Sequence, residues 1–441
     1  MRSISHRFLL SLMVLALSCI FSAAQRANAQ TAPAPSPLII DEFRLRDGTG
    51  GFDEYVEIYN QSGADYTVMS TDGSGGYALA ANDTHAPAGT GVVHFVIPDG
   101  TVIPNRGHFL GACQASDPRA GGYSLSGYPA GDARRPTATP DVTYHNQIPD
   151  NTGIALFTTA NPALFNPATE LDAVGPDTET NPLFKEGTGY QHFTTILNTA
   201  YAWHRQLSKG TPQDTNNNAT DFAYVDTLGH RQRTGANHAT DDLGAPGPKN
   251  LGSPVQMNDT VTPSKIDPTC TGTGTPTSGC QNTVYSPTPM GSNAPAGTLQ
   301  VRRYFTNNTG KPVSRLRFRV VDITTGPEPK PPDSLHNPPN APTDADLRAL
   351  TSSDQTVTLS DTVTMVAVDG TTLEQPPNQP IGGGFNSSLS DGDVTFATPV
   401  PPGGRRAVDF LLGIKKGGPY RFFINVEALT CTGSGSMCTG S

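Results

Sequence analysis

The frequency of helix-breaking residues constrains this chain more than any other feature of its sequence. It holds 46 glycines and 40 prolines in 441 residues, spread along most of its length. Long amphipathic helices need charged faces and few breakers, whereas only 15% of these residues are charged. Short strands joined by many turns fit such a pattern better. The sequence therefore predicts an all-β protein and argues against a helical bundle or a coiled coil.

Residues 1–29 have the pattern of a secretion signal. Arg2 and Arg7 form its positive start, residues 8–24 are apolar, and residues 27–29 are the small-x-small cleavage site Ala-Asn-Ala. A transmembrane anchor is the alternative, but the apolar run is shorter than the roughly 20 residues that cross a bilayer. No other stretch of the sequence is apolar enough to cross. We expect a cleaved signal peptide and a mature chain that is secreted, extracellular or periplasmic.

The balance of charges argues against nucleic acid as a partner. The formal net charge is −10 at pH 7, and signal cleavage would remove three arginines and no acidic residue. Neutralising many phosphates requires clustered lysine and arginine. The densest basic group is Arg315, Arg317 and Arg319, whose alternate spacing places them on one face of a predicted strand. We expect that face to be solvated, and a surface for an acidic ligand is the alternative.

The cysteines of the mature chain predict disulfide loops near both ends of its second half. Cys270 and Cys280 form one local pair, and Cys431 and Cys438 form another, each in a Gly/Thr/Ser-rich segment. An oxidising compartment and this spacing favour disulfides over zinc ligation. We expect local pairing, while cross-pairing between the two segments is the alternative. Cys113 remains, and we expect it to be a buried strand residue.

Turn-rich segments divide the mature chain into two halves. Residues 30–37 form a Pro/Ala linker, and residues 38–242 carry strand signals of the number and spacing of a β-sandwich. A second linker is expected at 243–265, followed by a second β-sandwich of immunoglobulin-like size at 266–441. Within that half, residues 344–350 are expected to form one helical turn.

The first half also carries a string of short motifs that is more specific as a set than any motif alone. In chain order they are Leu38–Phe43, Asp53–Asn60, Phe95–Pro104, Gly107–Leu110, Ile154–Phe157, Leu171–Gly175, and Arg205 with Asp214–Phe222. This string resembles the lamin tail domain family, in the form found on secreted bacterial proteins, over about residues 38–225. The resemblance implies an immunoglobulin-like β-sandwich used for attachment or scaffolding rather than for chemistry.

The sequence contains no complete catalytic motif. It has no G-x-S-x-G elbow, no H-E-x-x-H helix motif and no glycine-rich phosphate loop. His204 is interpreted as a packed or surface residue rather than a catalytic base. The acidic residues Asp41-Glu42, Asp53-Glu54 and Glu57 are expected at strand ends and exposed faces, with a calcium patch or a general-acid pair as alternatives. We therefore assign no catalytic, cofactor-binding or metal residue and no cofactor.

The most metal-like run in the chain is Asp214, Asn216, Asn218 and Asp221. Oxygen ligands at every second position could begin a calcium loop. However, Ala219 and Val225 stand where an EF-hand needs glycine and glutamate. An Asx-rich turn, in which the side chains cap backbone amides, is the other interpretation, and both stay open.

Taken together, these features predict a secreted, non-catalytic protein that binds or scaffolds at a cell surface or in an extracellular matrix. Its partner would be an extracellular or cell-surface protein or a glycan. Two alternatives remain. One is a secreted hydrolase, a nuclease or esterase, with Asp322, Asp369, Asp391, Asp393 and His336 of the second half as its only candidate groups. The other is a calcium-dependent binding module.

Overall fold

Nearly all regular structure in this chain is β-strand, which confirms the predicted all-β fold class. The computed structural model describes residues 35–46, 50–85, 91–114, 121–126, 138–193, 200–207, 210–229, 241–276, 279–325, 345–374, 379–392 and 395–431. The expected signal peptide and most of the linker at 30–37 lie outside these residues. Over the described ranges, no helix is long and apolar enough to cross a membrane.

Strands in the first half are short and are separated by turns rich in glycine, proline and asparagine. They are β1 (Leu38–Arg44), β2 (Tyr55–Asn60), β3 (Tyr66–Thr67), β4 (Gly76–Ala81), β5 (Val92–Pro98), β6 (Val102–Ile103), β7 (His108–Cys113), β8 (Val142–Tyr144), β9 (Ile154–Phe157), β10 (Glu170–Val174), β11 (Tyr201–Arg205), β12 (Phe222–Asp226) and β13 (Asp241–Leu243). One α-helical turn, α1 (Asn218–Asp221), precedes β12, and 3₁₀ turns lie at Pro162–Leu164 and Pro182–Phe184.

Two of the sheets formed by these strands face each other across a common core. The larger has the strand order β13-β12-β11-β1-β2-β7-β8, and the smaller has the order β10-β9-β4-β5. Ile40 and Val56 from the larger sheet share a buried cluster with Leu79 and Leu156 from the smaller one. This is a β-sandwich, and it leaves the outer face of the larger sheet available to another part of the chain.

The second half forms one sheet that folds over its own core. Its strands are β14 (Val255–Gln256), β15 (Val261–Lys265), β16 (Thr283–Ser286), β17 (Thr298–Asn307), β18 (Val313–Ile323), β19 (Asp346–Leu350), β20 (Gln355–Thr358), β21 (Met365–Leu373), β22 (Ser388–Asp391), β23 (Arg405–Lys416) and β24 (Phe422–Thr430). Their order is β14-β24-β18-β22-β21-β23-β17-β15, with β16 beside β17, β19 beside β23 and β20 beside β21. Leu316 and Phe318 of β18 pack with Val408 and Phe410 of β23 in its core.

One local prediction in this half is wrong. Residues 344–350 were expected to form a helical turn, but Asp346–Leu350 is the strand β19. Leu347 and Ala349 are buried on one side of it, and the strand pairs antiparallel with β23. Pairing with an existing strand, together with the complete burial of Leu347 and Ala349, therefore outweighs the weak local capping signal.

The segment at 243–265 lies against both halves. Residues 243–250 are buried, and β14 and β15 follow them in the same segment. Residues Ser36–Ser441 form one compact unit.

Candidate functional site

The outer face of the larger sheet carries a concentration of ionisable side chains. Asp41, Glu57, His108 and His204 come from β1, β2, β7 and β11, which are neighbours in the sheet. The pairing of β1 with β2 shifts register between Ile40 and Glu42. Such a bulge lets two successive side chains share one face of a sheet, so Asp41 and Glu42 both join this group.

An extended stretch of chain, residues 245–249, covers this face. Pro246 and Pro248 have no N–H, so the N–H groups of the alternate residues carry its polar contacts. Gly247 donates to Glu42 Oε1 at 2.7 Å, and the backbone N–H of Lys249 donates to Glu57 Oε2. A Cβ at position 247 would lie 2.2 Å from Nη1 of Arg319, so the close packing here requires glycine.

Strand β18 of the second half covers this face with its arginine-bearing side. Arg317 Nε donates to Glu427 Oε2 at 2.5 Å and Arg319 Nε donates to Glu427 Oε1 at 2.9 Å. Arg319 Nη1 also donates to Asn386 Oδ1 at 2.6 Å, and Asn386 Nδ2 donates to Glu42 Oε2 at 3.1 Å. This chain of hydrogen bonds connects β18 to β1 across the contact between the halves.

These contacts overturn the expectation that Arg315, Arg317 and Arg319 lie on a solvated face. All three are buried, and Arg315 pairs with Glu374 at 3.2 Å. Burial would raise the pKa of Glu427, but the charges of Arg317 and Arg319 outweigh it and hold that pKa below its usual range. The strand was identified correctly, but its arginines bind Glu374, Asn386 and Glu427 of the same half. Asn386 then carries the chain of hydrogen bonds on to Glu42 of the first half.

The expectation of exposed acidic residues is also wrong. Asp41, Glu42, Asp53, Glu54 and Glu57 are all buried. Glu42 is fully engaged, because its two oxygens accept hydrogen bonds from Tyr55 Oη, Gly247 N and Asn386 Nδ2. Neither oxygen of Asp41 accepts a hydrogen bond from the protein.

At the centre of this region, four polar groups approach one another without hydrogen bonding. His108 Nε2 lies 3.4 Å from Glu57 Oε1 and 3.7 Å from Asp41 Oδ2. Lys249 Nζ lies at the same two distances, 3.4 Å and 3.7 Å, from the same two oxygens. His204 Nε2 is 3.9 Å from Asp41 Oδ2 on another side. We call Asp41, Glu57, His108, His204 and Lys249 the junction cluster.

Burial separates the protonation states of this cluster. Burial raises the pKa of Glu57 well above its usual value, and the charges of Asp41 and Glu42 add to that rise, against the effect of Lys249. For Asp41, burial is outweighed by His204, His108 and Lys249, which lower its pKa. Burial lowers the pKa of His108 to about 3 and also lowers that of His204. Burial therefore favours the uncharged form of both imidazoles, and the pKa values of the two carboxyl groups move in opposite directions.

This arrangement joins two sheets rather than receiving a substrate. Lys249 is 3% exposed and His108 is 4% exposed, while Asp41, Glu57 and His204 are completely buried. Phe385 of the second half packs on the same sheet face, with its ring 5.7 Å from that of His204 in an edge-on contact. His204, interpreted from sequence as a packed or surface residue, is a packed one.

The run predicted as a calcium loop or an Asx-rich turn forms a turn followed by α1. Asp221 accepts hydrogen bonds from the N–H and hydroxyl of Thr215 at 2.8 and 2.7 Å. Asn218 Oδ1 accepts from Gly175 N at 2.9 Å and from Glu186 N at 3.0 Å. These are the contacts of the Asx-rich interpretation, and calcium binding at this run stays a prediction.

Around that run, acidic groups converge on one arginine. Arg205 Nη2 donates to both oxygens of Asp172 at 2.8 and 2.9 Å, and Arg205 Nη1 lies 3.5 Å from both Asp214 and Asp221. Burial, supported by Asp172, raises the pKa of nearby Glu186 to about 9. The protein's own arginine thus supplies the positive charge between these carboxylates. Asn216, the remaining residue of the run, has a positive φ of 56°.

The candidate hydrolytic groups of the second half are engaged in ion pairs. Asp369 and Asp391 both bind Arg406, at 2.9 and 3.0 Å, and Asp322 binds Arg421 at 2.9 Å. His336 and Asp393 lie outside the described residues.

The cysteines follow the local pattern where they can be described. Cys270 is bonded to Cys280, which confirms the local pairing predicted for this segment. Cys431 is also disulfide-bonded, and Cys438 lies outside the described residues. Cys113 is free and buried, and burial raises the pKa of its thiol to about 12.

Sequence reasoning missed Lys249, Asn386 and Glu427 as members of this interface. Lys249 lies in a Pro-Gly-Pro-Lys stretch that reads as a linker, and nothing in its neighbourhood marks it as buried. The usable signals were the three arginines on one strand face and the acidic residue between two tyrosines at Glu57. Complementary charged strands from the two halves could have been matched to each other.

Comparison with known proteins adds no relative. No protein-family model matches this chain, and no curated protein and no solved structure matches it either.

Proposed function

We propose that this chain is a secreted, non-catalytic binding or scaffolding protein. In this proposal residues 38–225 form a lamin-tail-like domain, and the two halves act together as one rigid attachment unit. Its targets are extracellular or cell-surface proteins or glycans.

The observation that carries the proposal is the burial of the junction cluster. A catalytic site needs its acid, base and nucleophile in contact with substrate. Here ionisable residues with perturbed pKa values lie between two sheets, beneath the stretch 245–249. These groups hold the two halves together, which suits a protein that keeps its binding surfaces in a fixed arrangement.

Residues of the second half support the same reading. Asp322, Asp369 and Asp391 are bound to arginines at 2.9–3.0 Å. The arginines occupy these carboxylates, so a substrate or a second catalytic group would have to displace them. This favours binding over hydrolysis for the described part of the second half.

The test uses the mature chain, residues 30–441, against arrays of glycans, envelope fractions and extracellular proteins, with and without calcium. We expect saturable binding to one class and no turnover of ester or nucleic-acid substrates. Alanine variants of exposed apolar residues (Tyr285, Val363, Met365 and Phe423) would then locate the contact surface. Substrate turnover without saturable binding would overturn the proposal.

A further inference from the structure

We propose that the junction cluster is a binding site for a divalent metal ion of the zinc class, with Asp41, Glu57 and His108 as its ligands. The ligand atoms of these three residues lie within 4.8 Å of one another, and all three side chains are buried. The site would join β1, β2 and β7 beneath the covering stretch that contains Lys249.

Several buried polar atoms of the cluster lack a hydrogen-bond partner in the protein. Asp41 Oδ1, Asp41 Oδ2 and Glu57 Oε1 accept no hydrogen bond from the protein, although all are fully buried. His204 Nε2, beside Asp41, also has none. An ionised oxygen without a donor is costly in an apolar interior, and buried polar groups are nearly always satisfied. Several such atoms at one point indicate a shared partner.

The distances between the donor atoms of the cluster also fit a metal ion. The two carboxylate oxygens stand 3.4 and 3.7 Å from both His108 Nε2 and Lys249 Nζ. These distances exceed the 2.7–3.2 Å or so of a direct N–H···O hydrogen bond. A central water with hydrogen bonds of about 2.8 Å would hold its neighbours about 4.6 Å apart in a tetrahedron. A tetrahedral zinc ion with ligands at about 2.0–2.2 Å spaces them at about 3.3–3.6 Å, which matches best.

The chemical nature of the donor atoms indicates the class of metal. One imidazole nitrogen and two carboxylate oxygens suit zinc and its neighbours in the transition series. Calcium prefers six to eight oxygen ligands and magnesium keeps several waters, whereas this buried cluster offers two carboxylates and one imidazole. The geometry therefore selects the class of metal as well as the place.

Lys249 makes the proposal sharply testable. Its ammonium stands at the fourth corner and competes with a metal ion for the same two oxygens. Metal binding requires the Lys249 ammonium group to move away from these oxygens. Substituting Lys249→Met removes this competitor and should tighten metal binding, by tenfold or more on the scale of neighbouring-residue effects.

The experiment measures metal content in the full mature chain, purified without chelators and without a polyhistidine tag. Mass spectrometry of the metals should find about one zinc ion per chain. Cobalt added to the stripped protein should give the visible absorption of a tetrahedral site with nitrogen and oxygen ligands. Removing the metal should lower the melting temperature, and zinc should restore it.

The variants separate a site from incidental binding. His108→Ala and Asp41→Asn should reduce metal content at least tenfold, whereas His145→Ala, at an exposed histidine, should leave it unchanged. The unsubstituted chain keeps the test valid if a cluster variant fails to fold. Absence of stoichiometric metal and no response to zinc in that chain would overturn the proposal, and so would full metal content in folded His108→Ala.

Discussion

At the scale of single residues, the role of each carboxyl group is decided by donors that arrive from distant parts of the chain. Glu42 and Asp41 are adjacent in sequence and share a sheet face. Glu42 receives hydrogen bonds from Tyr55, Gly247 and Asn386, while Asp41 receives none from the protein. Nothing local distinguishes them, so the sequence could locate the acidic group but could not assign its chemistry.

Glu54 provides a prediction about pH. Its Oε2 accepts hydrogen bonds from Tyr144 Oη at 3.2 Å and Ile148 N at 3.1 Å, and burial raises its pKa from 4.5 to about 9. Between these two values the folded chain keeps a proton that the unfolded chain has lost. The free energy of unfolding therefore falls as pH rises through this window and levels off above it. Glu54→Gln removes this loss, so the variant should be more stable than the parent near pH 8, by about 1 kcal/mol or more.

Denaturant titrations at about pH 5 and about pH 8 check this difference. Near pH 5 the difference should be much smaller, because pH 5 is only just above the unfolded-chain pKa of 4.5 and little of this stability has yet been lost. A constant difference at both pH values would show that packing rather than ionisation separates the two proteins.

At the scale of strands, the alternation of apolar and polar residues predicted where strands lie. It did not show whether one or both faces of a strand are covered. In β18 the alternation of Leu316, Phe318 and Val320 with arginines was read correctly as a strand. Its arginine face is buried because Glu374, Asn386 and Glu427, which come later in the chain, bind these arginines, and no pattern within β18 shows that. The prediction for residues 344–350 was wrong for another reason, since a short strand that pairs with β23 has almost no local sequence signal.

Glu427 on β24 is the test at this scale. It is the only carboxylate shown to accept from both Arg317 and Arg319 among the described residues. Glu427→Gln would remove the carboxylate that binds both of these buried guanidinium groups. We expect a loss of about 3–5 kcal/mol in the free energy of unfolding, measured by denaturant titration.

The matched control is an exposed ion pair between the first half and the segment at 243–265. Arg106 Nη2 lies 2.9 Å from Asp259, whose side chain is 73% exposed. Asp259→Asn should cost less than about 1 kcal/mol, because solvent screens such pairs. Equal losses in both variants would contradict a special role for the buried pair.

At the scale of the whole molecule, the two halves share one closed interface, and residues 36–441 form one compact unit. Polar contacts from Glu42 to Asn386 and apolar contacts between Phe385 and the outer sheet face lie side by side. Separating the halves would expose both kinds of surface at once. The expected behaviour is cooperative unfolding, with destabilisation in one half felt in the other.

The disulfide of the second half tests this coupling. Replacing Cys270 and Cys280 with alanine opens a loop with a sequence separation of 10, which should cost about 2–3 kcal/mol. The single tryptophan, Trp203, is buried in the core of the first half and reports on that half alone. We expect its fluorescence and the circular dichroism of the whole chain to shift to the same lower denaturant midpoint. A shift in circular dichroism with unchanged fluorescence would show that the halves unfold independently.

The contact between Asn386 and Glu42 also has a consequence for the time course of synthesis. Its two residues are 344 positions apart. At about 5–20 residues per second, the first sandwich waits roughly 20–70 s on the ribosome before its cover is complete. During that interval Tyr55, Leu110 and Val225 remain exposed beside hydrated carboxylates. The nascent first half is therefore a natural client for chaperones, and its release depends on the last quarter of the chain.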